Sequence, residues 1–431
     1  MKVHLREDGL LQLPAEAIKA SAIAFLRIFL GVMWLFEATL GPDAAADGVV
    51  VTGAKLLLGL AFVLGVVVRP LALVTLGAGV GAILDGDVRI APLFAAMHLF
   101  VLVSAAGNYY GLDGFVLLRT RGSRKLLARA IHSLLDLPVF QRGAASAATA
   151  LFGLLGLYFV LTVPTRGSQL ASAAALEMAL LCGAVAVGFV AADRYHDRLT
   201  ALVAALRIYV GVRFLLEIWT HVGAGLDGLP GFASADVQRE TFAIVAANHW
   251  PAIGRLVDTA TVVTPVMWMW VVAFGAVQLL VGVALIVGCR SRVAGFVGLT
   301  YVGGLMMLGL TRLSPFLFGL LVVVVALDGG RVLSFDSVRG PAREVRFGLP
   351  VPVRAVPVLV GLAAINAVAA TFTAVAAGIT ADGYTDSMPA VVSAFVAIFS
   401  GLLALVGWLQ KHPSFDHSGE ILPVRGWNEF V

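Results

Sequence analysis

Charge is what this chain of 431 residues has least of: Lys, Arg, Asp and Glu make up only 13% of it. Soluble domains carry roughly 25%, so about half of the usual solvating charge is missing. That shortage, with 60% hydrophobic residues and a mean hydropathy of +0.95, excludes a soluble fold of this length. Cysteine is nearly absent as well. Cys182 and Cys289 are the only two, in separate segments, which excludes a disulfide framework and a thioredoxin-like dithiol. The chain also lacks a phosphate-cradling loop, a dinucleotide fingerprint, an HExxH helix and a CxxC pair. No intrinsic cofactor and no metal centre are therefore expected. His412, Asp416, His417 and Glu420 lie close together, but without fixed ligand spacing they read as a solvated tail.

What is present is apolar sequence in long uncharged runs, such as Leu56 to Val68, Val266 to Gly288 and Val356 to Ala377. A helix needs about 20 such residues to cross roughly 30 Å of hydrocarbon. The expected fold is all-α and polytopic, with twelve transmembrane segments near 20–40, 53–68, 70–84, 91–112, 144–163, 169–191, 199–221, 266–288, 293–310, 315–327, 353–378 and 388–409. The N-terminal residues carry Lys2, Arg6, Glu7, Asp8, Glu16 and Lys19, and the stretch after them reads as a full span, not a cleavable leader.

The basic residues are dispersed among short loops, so the pI near 9.2 does not indicate nucleic-acid binding. Arg69, the run from Arg119 to Arg129, Arg194, Arg198, Arg290, Arg292, Arg331, Arg339, Arg343 and Arg346 all fall on the side of Lys2, Arg6 and Lys19. The opposite loops hold Asp43, Asp47, Asp382 and Asp386, with few basic residues. The positive-inside rule then places both termini in the cytoplasm of a cell-membrane protein. Between about 122 and 142, Leu126, Leu127, Ala130, Ile131, Leu134 and Leu135 recur at helical spacing opposite Arg124, Arg129, His132 and Asp136. This predicts an interfacial amphipathic helix on the cytoplasmic leaflet, with a soluble linker helix as the other reading.

The chain also repeats itself. Leu26-Arg27-Ile28-Phe29-Leu30-Gly31-Val32 returns as Leu206-Arg207-Ile208-Tyr209-Val210-Gly211-Val212, and Glu37 returns as Glu217. Lys55 to Leu60 matches Gln278 to Val283, Gly65 meets Gly288, and Arg69 meets Arg292. Leu112-Asp113-Gly114 is matched with Leu327-Asp328-Gly329. Each half adds two further spans, so residues 1–198 and 199–431 form two six-helix repeats. An even number of spans makes them parallel, related by an axis along the membrane normal. The second copy adds an outer loop over 222–265, in which Asp236 to Ala247 and Ala252 to Thr259 are expected as short helices separated at Trp250-Pro251.

Leu26-Arg27 with Gly31, then Gly59, Gly65 and Arg69, then Ala106 through Asp113, resemble the DoxX/DoxD superfamily of four-helix membrane proteins. Asn248-His249-Trp250-Pro251 and the loop to Pro265 are similar to the DoxD branch, the small-subunit type of thiosulfate:quinone oxidoreductase. The resemblance covers about 20–120 and 199–336. It departs from the family at Lys55 and Gln278, where a carboxylate is common, and at Gly111, which replaces a serine. It implies a DoxX-like four-helix bundle in each repeat.

Ionisable groups inside spans are the candidate site residues, since each costs at least about 2.5–3.5 kcal/mol at a helix centre. Arg27 and Arg207 head the two copies, with Arg27 near enough to the cytoplasm to snorkel. Glu37 and Lys55 are expected to pair across the first two spans. In the second copy Arg213 and Glu217 are expected to pair at i, i+4, with Gln278 as an added donor. Both sets admit two readings, structural pairs or a pocket for a quinone headgroup. His98 has Arg312 or Leu313 near its equivalent and no second histidine at its depth, so hydrogen bonding or a quinone contact is expected there, not haem ligation. Gly77 with Gly81, and Gly295 with Gly298, are expected to permit close helix packing.

The expected function is a DoxX-like integral membrane subunit of a respiratory or quinone-linked redox assembly. If an enzyme is involved, this chain is its membrane subunit, with membrane lipids and extracytoplasmic or membrane redox subunits as partners. A non-catalytic accessory or scaffold subunit is the alternative, and a small-molecule transporter the third reading.

Overall fold

The computed structural model describes residues 15–39, 48–84, 91–120, 125–135, 142–165, 169–195, 198–222, 235–261, 264–309, 314–327, 329–330, 332–338, 355–377 and 388–411. Every regular element among them is helical. The first copy contributes α1 (Ala15–Thr39), α2 (Val49–Leu64), α3 (Val68–Leu84), α4 (Ala91–Val103), α5 (Leu112–Thr120) and α6 (Leu126–Leu135). The hairpin α7 (Arg142–Thr162) and α8 (Gln169–Tyr195) follows. Then come α9 (Arg198–Val222), α10 (Ala235–Asn248), α11 (Pro251–Thr261), α12 (Thr264–Val287), α13 (Ser291–Met307), α14 (Ser314–Ala326) and the short α15 (Phe335–Val338). A last hairpin comprises α16 (Val356–Ala377) and α17 (Met388–Lys411).

Seven of these, α1, α7, α8, α9, α12, α16 and α17, are long and apolar enough to cross a membrane. All twelve expected apolar segments are helical, but five are shorter than that length, and the fourth is not continuous. Instead of running from 91 to 112, α4 ends at Val103, Ala105 takes a left-handed conformation, and a 3-10 turn spans Ala106–Asn108. At 1.5 Å per residue, its 13 residues reach only about 20 Å. Length matters chiefly to helices that face lipid, and neither α4 nor α14 does. Every residue of α4 except Phe94, and every residue of α14 except Phe318, is buried by protein.

The core is built around these two helices. α1 packs on α4, α14 and α17, while α9 packs on α14, α4 and α8. α8 also lies against α3, and α17 against α13. The outermost helices are α7 and α16, with only 11% and 6% of their apolar windows buried. Their exposed Leu, Val, Ile and Phe side chains would be costly in water and suit hydrocarbon.

The outer loop forms two helices as expected, α10 and α11, separated at His249-Trp250. Phe242, Val245 and Val257 of this hairpin pack with Met388 and Val392 of α17. His249 docks its base. Its Nε2–H donates to the Met307 carbonyl at the end of α13 (2.8 Å), and its Nδ1 accepts from the Trp250 amide (2.7 Å). Burial lowers the basicity of the ring, and a proton on Nδ1 would face the Trp250 N–H. The stability that His249 supplies is therefore present above about pH 6.5 and lost as pH falls through its lowered folded value. Hydrogen exchange corrected for intrinsic rates should show protection of 235–261 falling between about pH 7.5 and about pH 5.5. His249→Ala should weaken protection at the upper pH and flatten that dependence.

The helix α6 carries exposed Leu126, Leu127 and Leu134 beside exposed Lys125 and Arg129. The helix covers 126–135 of the expected 122–142, and Arg124 and Asp136 lie outside the described residues.

Candidate functional site

Two kinds of polar structure lie among the helices, a backbone lock that occurs in both halves and an ionic cluster between α8 and α9. The lock starts from a helix that must stop sharply. α2 ends in the left-handed Gly65 (φ 71°), whose N–H bonds Phe62 O while Val66 N–H bonds Ala61 O. This closes the last turn as a Schellman cap does. Asp113 of α5 then reaches back, its Oδ1 accepting from Val67 N–H (2.7 Å) and its Oδ2 from Val68 N–H (2.8 Å), while its own N–H bonds Gly65 O (2.9 Å). A carboxylate on the open amides at the start of α3 satisfies orphan donors and faces the positive end of the helix dipole.

Arg27 completes the lock from α1. Its Nη1 donates to Ala106 O (3.2 Å) and Tyr109 O (3.0 Å), and its Nη2 to Tyr110 O (3.1 Å). Arg27 is 1% exposed, so it does not snorkel as the sequence suggested. Carbonyls of the turn that interrupts the fourth segment hold it in the protein. A Cβ on Gly65 or Gly111 would collide with its guanidinium.

The second lock uses Gly288 (φ 72°), Arg207 and Asp336. Asp336 Oδ1 accepts from Arg290 N–H (2.9 Å), Oδ2 from Ser291 N–H (3.1 Å), and its N–H bonds Gly288 O (3.1 Å). The partner of Asp113 is thus Asp336, not Asp328, and the matched triplet is Phe335-Asp336-Ser337, not Leu327-Asp328-Gly329. Asp328 itself lies outside the described residues. Arg27 and Arg207 stand 180 positions apart, but from α2 onward the interval is 223, from Gly65 to Gly288 and from Asp113 to Asp336 alike. It carries the left-handed Val67 onto Arg290 and Tyr110 onto Leu333, both left-handed too. The same interval sets Leu321 opposite His98, instead of Arg312 or Leu313, which lie outside the described residues.

The locks differ in the contacts of their arginines. Ser334 stands opposite Gly111, so the second lock carries a side chain where the first has none, beside Gly288 and Arg207 Nη1. Arg207 keeps only the bond from Nη2 to Leu333 O (2.6 Å), and its Nε and Nη1 are buried without a hydrogen-bond partner among the described residues. Unmet carbonyls cost about 1–3 kcal/mol each. Arg27→Ala, which frees four carbonyls, those of Val63, Ala106, Tyr109 and Tyr110, should therefore lower the detergent melting temperature more than Arg207→Ala, which frees one. Equal losses would contradict this account.

The ionic cluster centres on α9 and is not repeated on α1, where Phe29 and Met33 stand opposite Tyr209 and Arg213. Arg213 of α9 pairs through Nε with Glu177 Oε1 of α8 (3.1 Å) and through Nη2 with Glu217 one turn further on. Tyr209 O–H donates to Glu177 Oε1 (2.7 Å). Arg213 is 1% exposed, Glu177 3%, Tyr209 0% and Glu217 12%. The expected i, i+4 pair is present, while Gln278, expected as an added donor to it, gives its Nε2–H to the Tyr301 hydroxyl (2.9 Å) on α13. The Tyr301 ring lies between Phe214 and Phe274, and Phe274 meets Phe242 of the outer hairpin.

Glu177, Tyr209 and Tyr301 escaped the sequence reading. The signal for Glu177 was there, a lone carboxylate well inside an otherwise apolar span. Nothing in sequence spacing could bring it to Arg213, because the two are on different helices.

In the first half, Glu37 and Lys55 are both half-buried and lie on the same side of the point where Gly31 of α1 meets Gly59 of α2. His98 accepts from Trp34 Nε1–H at Nε2 (3.0 Å) and donates from Nδ1 to Phe94 O (2.7 Å). Both ring nitrogens are occupied and Phe62, Phe94 and Trp34 enclose the ring, so it is a fixed core group. Among the described residues no group of three His, Cys, Asp or Glu could hold a metal ion. The tail residues His412, Asp416, His417 and Glu420 lie outside them, as do Asp43, Asp47, Asp382 and Asp386. Cys182 and Cys289 are free thiols.

Of the glycines expected to allow close packing, Gly295 meets Val325, and Gly298 meets Val281 and Leu321. Gly77 faces open space, so it is not a packing glycine, and the side of Gly81 lies outside the described residues. Comparison with protein-family models, curated proteins and solved structures finds no match to this chain.

Proposed function

We propose that this chain is a DoxX-like integral membrane subunit of a quinone-linked redox assembly, built as two parallel six-helix repeats with both termini in the cytoplasm. The observation that carries the reading is the double lock. The residues of the family resemblance, Arg27, Gly65 and Asp113, together with Arg207, Gly288 and Asp336, are the ones engaged in the same backbone geometry in each half. The packing of α1 on α14 and α17, against that of α9 on α4 and α8, supports a two-fold relation between the halves. α4 and α14 then complete the twelve spans as protein-enclosed helices, where length is not set by lipid.

The quinone site in this reading is the half-buried edge where Gln278 and Tyr301 lie, with Glu217 on the neighbouring helix. Amide and hydroxyl donors suit quinone carbonyls, and the rings of Phe214 and Phe274 suit a flat headgroup. The outer hairpin α10–α11 is the docking face for an extracytoplasmic partner, and α6 rests on anionic lipid of the cytoplasmic leaflet.

Purification in mild detergent followed by quinone extraction tests the reading. Quinone should accompany the protein and be lost on Glu217→Ala or Gln278→Ala. A stable stoichiometric complex without quinone, unaffected by those changes, would favour the accessory-scaffold reading, to which the exposed apolar faces of α7 and α16 are equally suited. Labelling of single cysteines introduced at the two ends of the chain should place both on one side of the membrane.

A further inference from the structure

The hairpin α10–α11 is an addition that the repeated bundle does not need. The first copy passes from α1 to α2 through residues 40–48 alone, whereas the second places both helices of the hairpin between α9 and α12. The second copy also has a file of rings beneath it. Phe242 of α10 meets Phe274 of α12 (ring centroids 6.4 Å apart), Phe274 meets Tyr301 of α13 (5.8 Å), and Tyr301 meets Phe214 of α9 (6.2 Å). Trp270 lies against Phe274 one turn away on α12 (5.6 Å). The interval of 223 sets Val51 opposite Phe274 and Ala78 opposite Tyr301, so the first copy lacks the two central rings as well as the hairpin. The cover occurs where there are rings to cover.

The hairpin is built to move as one body. A Cβ on Gly254 of α11 would collide with the Ala246 carbonyl of α10, so its two helices cross backbone to backbone. An apolar patch and a polar latch join it to the bundle. In the patch, Phe242, Val245 and Val257 pack with Met388 and Val392 of α17, and Phe274 and Leu308 lie at its edge. This cluster is separate from the main core. The latch is His249, whose Nε2–H bonds the Met307 carbonyl. That carbonyl is in the last turn of α13, where helical carbonyls have no partner within the helix. Units held by a small cluster of their own open at lower free energy than the core on which they lie.

We propose that the α10–α11 hairpin is a lid, latched by His249, that opens to admit a flat, ring-bearing ligand to the file Phe274–Tyr301–Phe214. Gln278 and the Tyr301 hydroxyl, bonded to each other in the closed state, are the donors that the ligand's carbonyls meet. His249 is a positioning residue, since it touches the bundle and not the ligand. The identity of the ligand rests on the quinone reading, but the opening of the lid does not.

Maleimide labelling of the full-length protein in detergent, read peptide by peptide by mass spectrometry, tests the lid. In Val392→Cys the reporter thiol lies in the cluster that the hairpin completes, at a position 4% exposed. Cys182, 1% exposed in the main core, reports general loosening. Adding His249→Ala should speed labelling of the reporter about three- to tenfold, the population change that one lost hydrogen bond produces, and leave Cys182 unchanged. His249→Gln, which keeps a donor for the Met307 carbonyl, should stay near the parent rate. Phe242→Ala, which thins the apolar patch without touching the latch, should also speed the reporter. Equal reporter rates in all four backgrounds, or a Cys182 rate that rises in step with the reporter, would overturn the proposal. Quinone that purifies with the protein should dissociate faster in His249→Ala by a similar factor. Unchanged dissociation beside a faster reporter would show that the hairpin does not gate the file. If no quinone accompanies the protein, the thiol rates still decide the lid, and only the quinone reading falls.

Discussion

Arg213→Leu is expected to be the most damaging polar substitution in the chain, costing about 3–5 kcal/mol, the usual consequence of removing one partner from a buried ion pair. The reason is what it leaves behind. Glu177, 3% exposed, and Glu217, 12% exposed, would lose the guanidinium that both pair with. The triple change Glu177→Gln, Arg213→Leu and Glu217→Gln should recover most of the loss, since exchanging a whole buried ionic set for neutral groups is often nearly neutral. Thermal unfolding in one detergent measures both expectations. A variant Arg213→Leu as stable as the native protein at neutral pH would mean that the cluster does not carry the charges assigned to it.

The all-helical class, the long apolar helices and the helical pair over 235–261 were legible in the sequence, because each follows from local composition. Runs of uncharged residues declare helices, and a proline after Trp250 declares a break. The register of the repeat was legible only in part. The pattern around Gly59, Gly65 and Arg69 fixes an interval that is carried unchanged to Asp336, yet a Leu-Asp-Gly triplet at 327–329 offered a better match by letters. Hydrogen bonds chose otherwise. The second lock needs an aspartate that reaches the amides of Arg290 and Ser291, and residue letters carry no record of that reach.

The fate of the buried arginines was misjudged for a similar reason. Seven residues into a span, snorkelling is the default. It fails for Arg27 because the fourth segment breaks into a turn whose free carbonyls offer a nearer set of acceptors than water. The break itself falls in Ala106-Gly107-Asn108-Tyr109-Tyr110-Gly111, a stretch too small and polar to continue a helix readily.

Glycine substitutions at the helix crossings should give the largest steric effects, and the order among them is fixed by what each Cβ would touch. At Gly31 the added atom would lie 2.6 Å from the Gly59 carbonyl oxygen and 2.7 Å from the Val63 nitrogen, both backbone. At Gly211 the corresponding distances are 2.8 Å to Gly282 O and 3.0 Å to Ile286 N. At Gly59 and Gly282 the nearest atoms belong to Leu35 and Leu215 side chains, which can turn aside, but the backbone oxygens of Gly31 (2.8 Å) and Gly211 (3.0 Å) follow. Overpacking typically costs about 1–3 kcal/mol. Gly31→Ala is expected at the top of that range, followed by Gly211→Ala and Gly59→Ala, with Gly282→Ala mildest. Gly77→Ala, facing open space within its helix, should instead be neutral or stabilising by up to about 1 kcal/mol, because alanine is the better helix former. Melting temperatures of the five variants in one detergent give the order directly. If Gly31→Ala behaved like Gly77→Ala, α1 and α2 could not cross backbone to backbone. The alignment of Glu37 with Lys55 on one side of that crossing would fall with it.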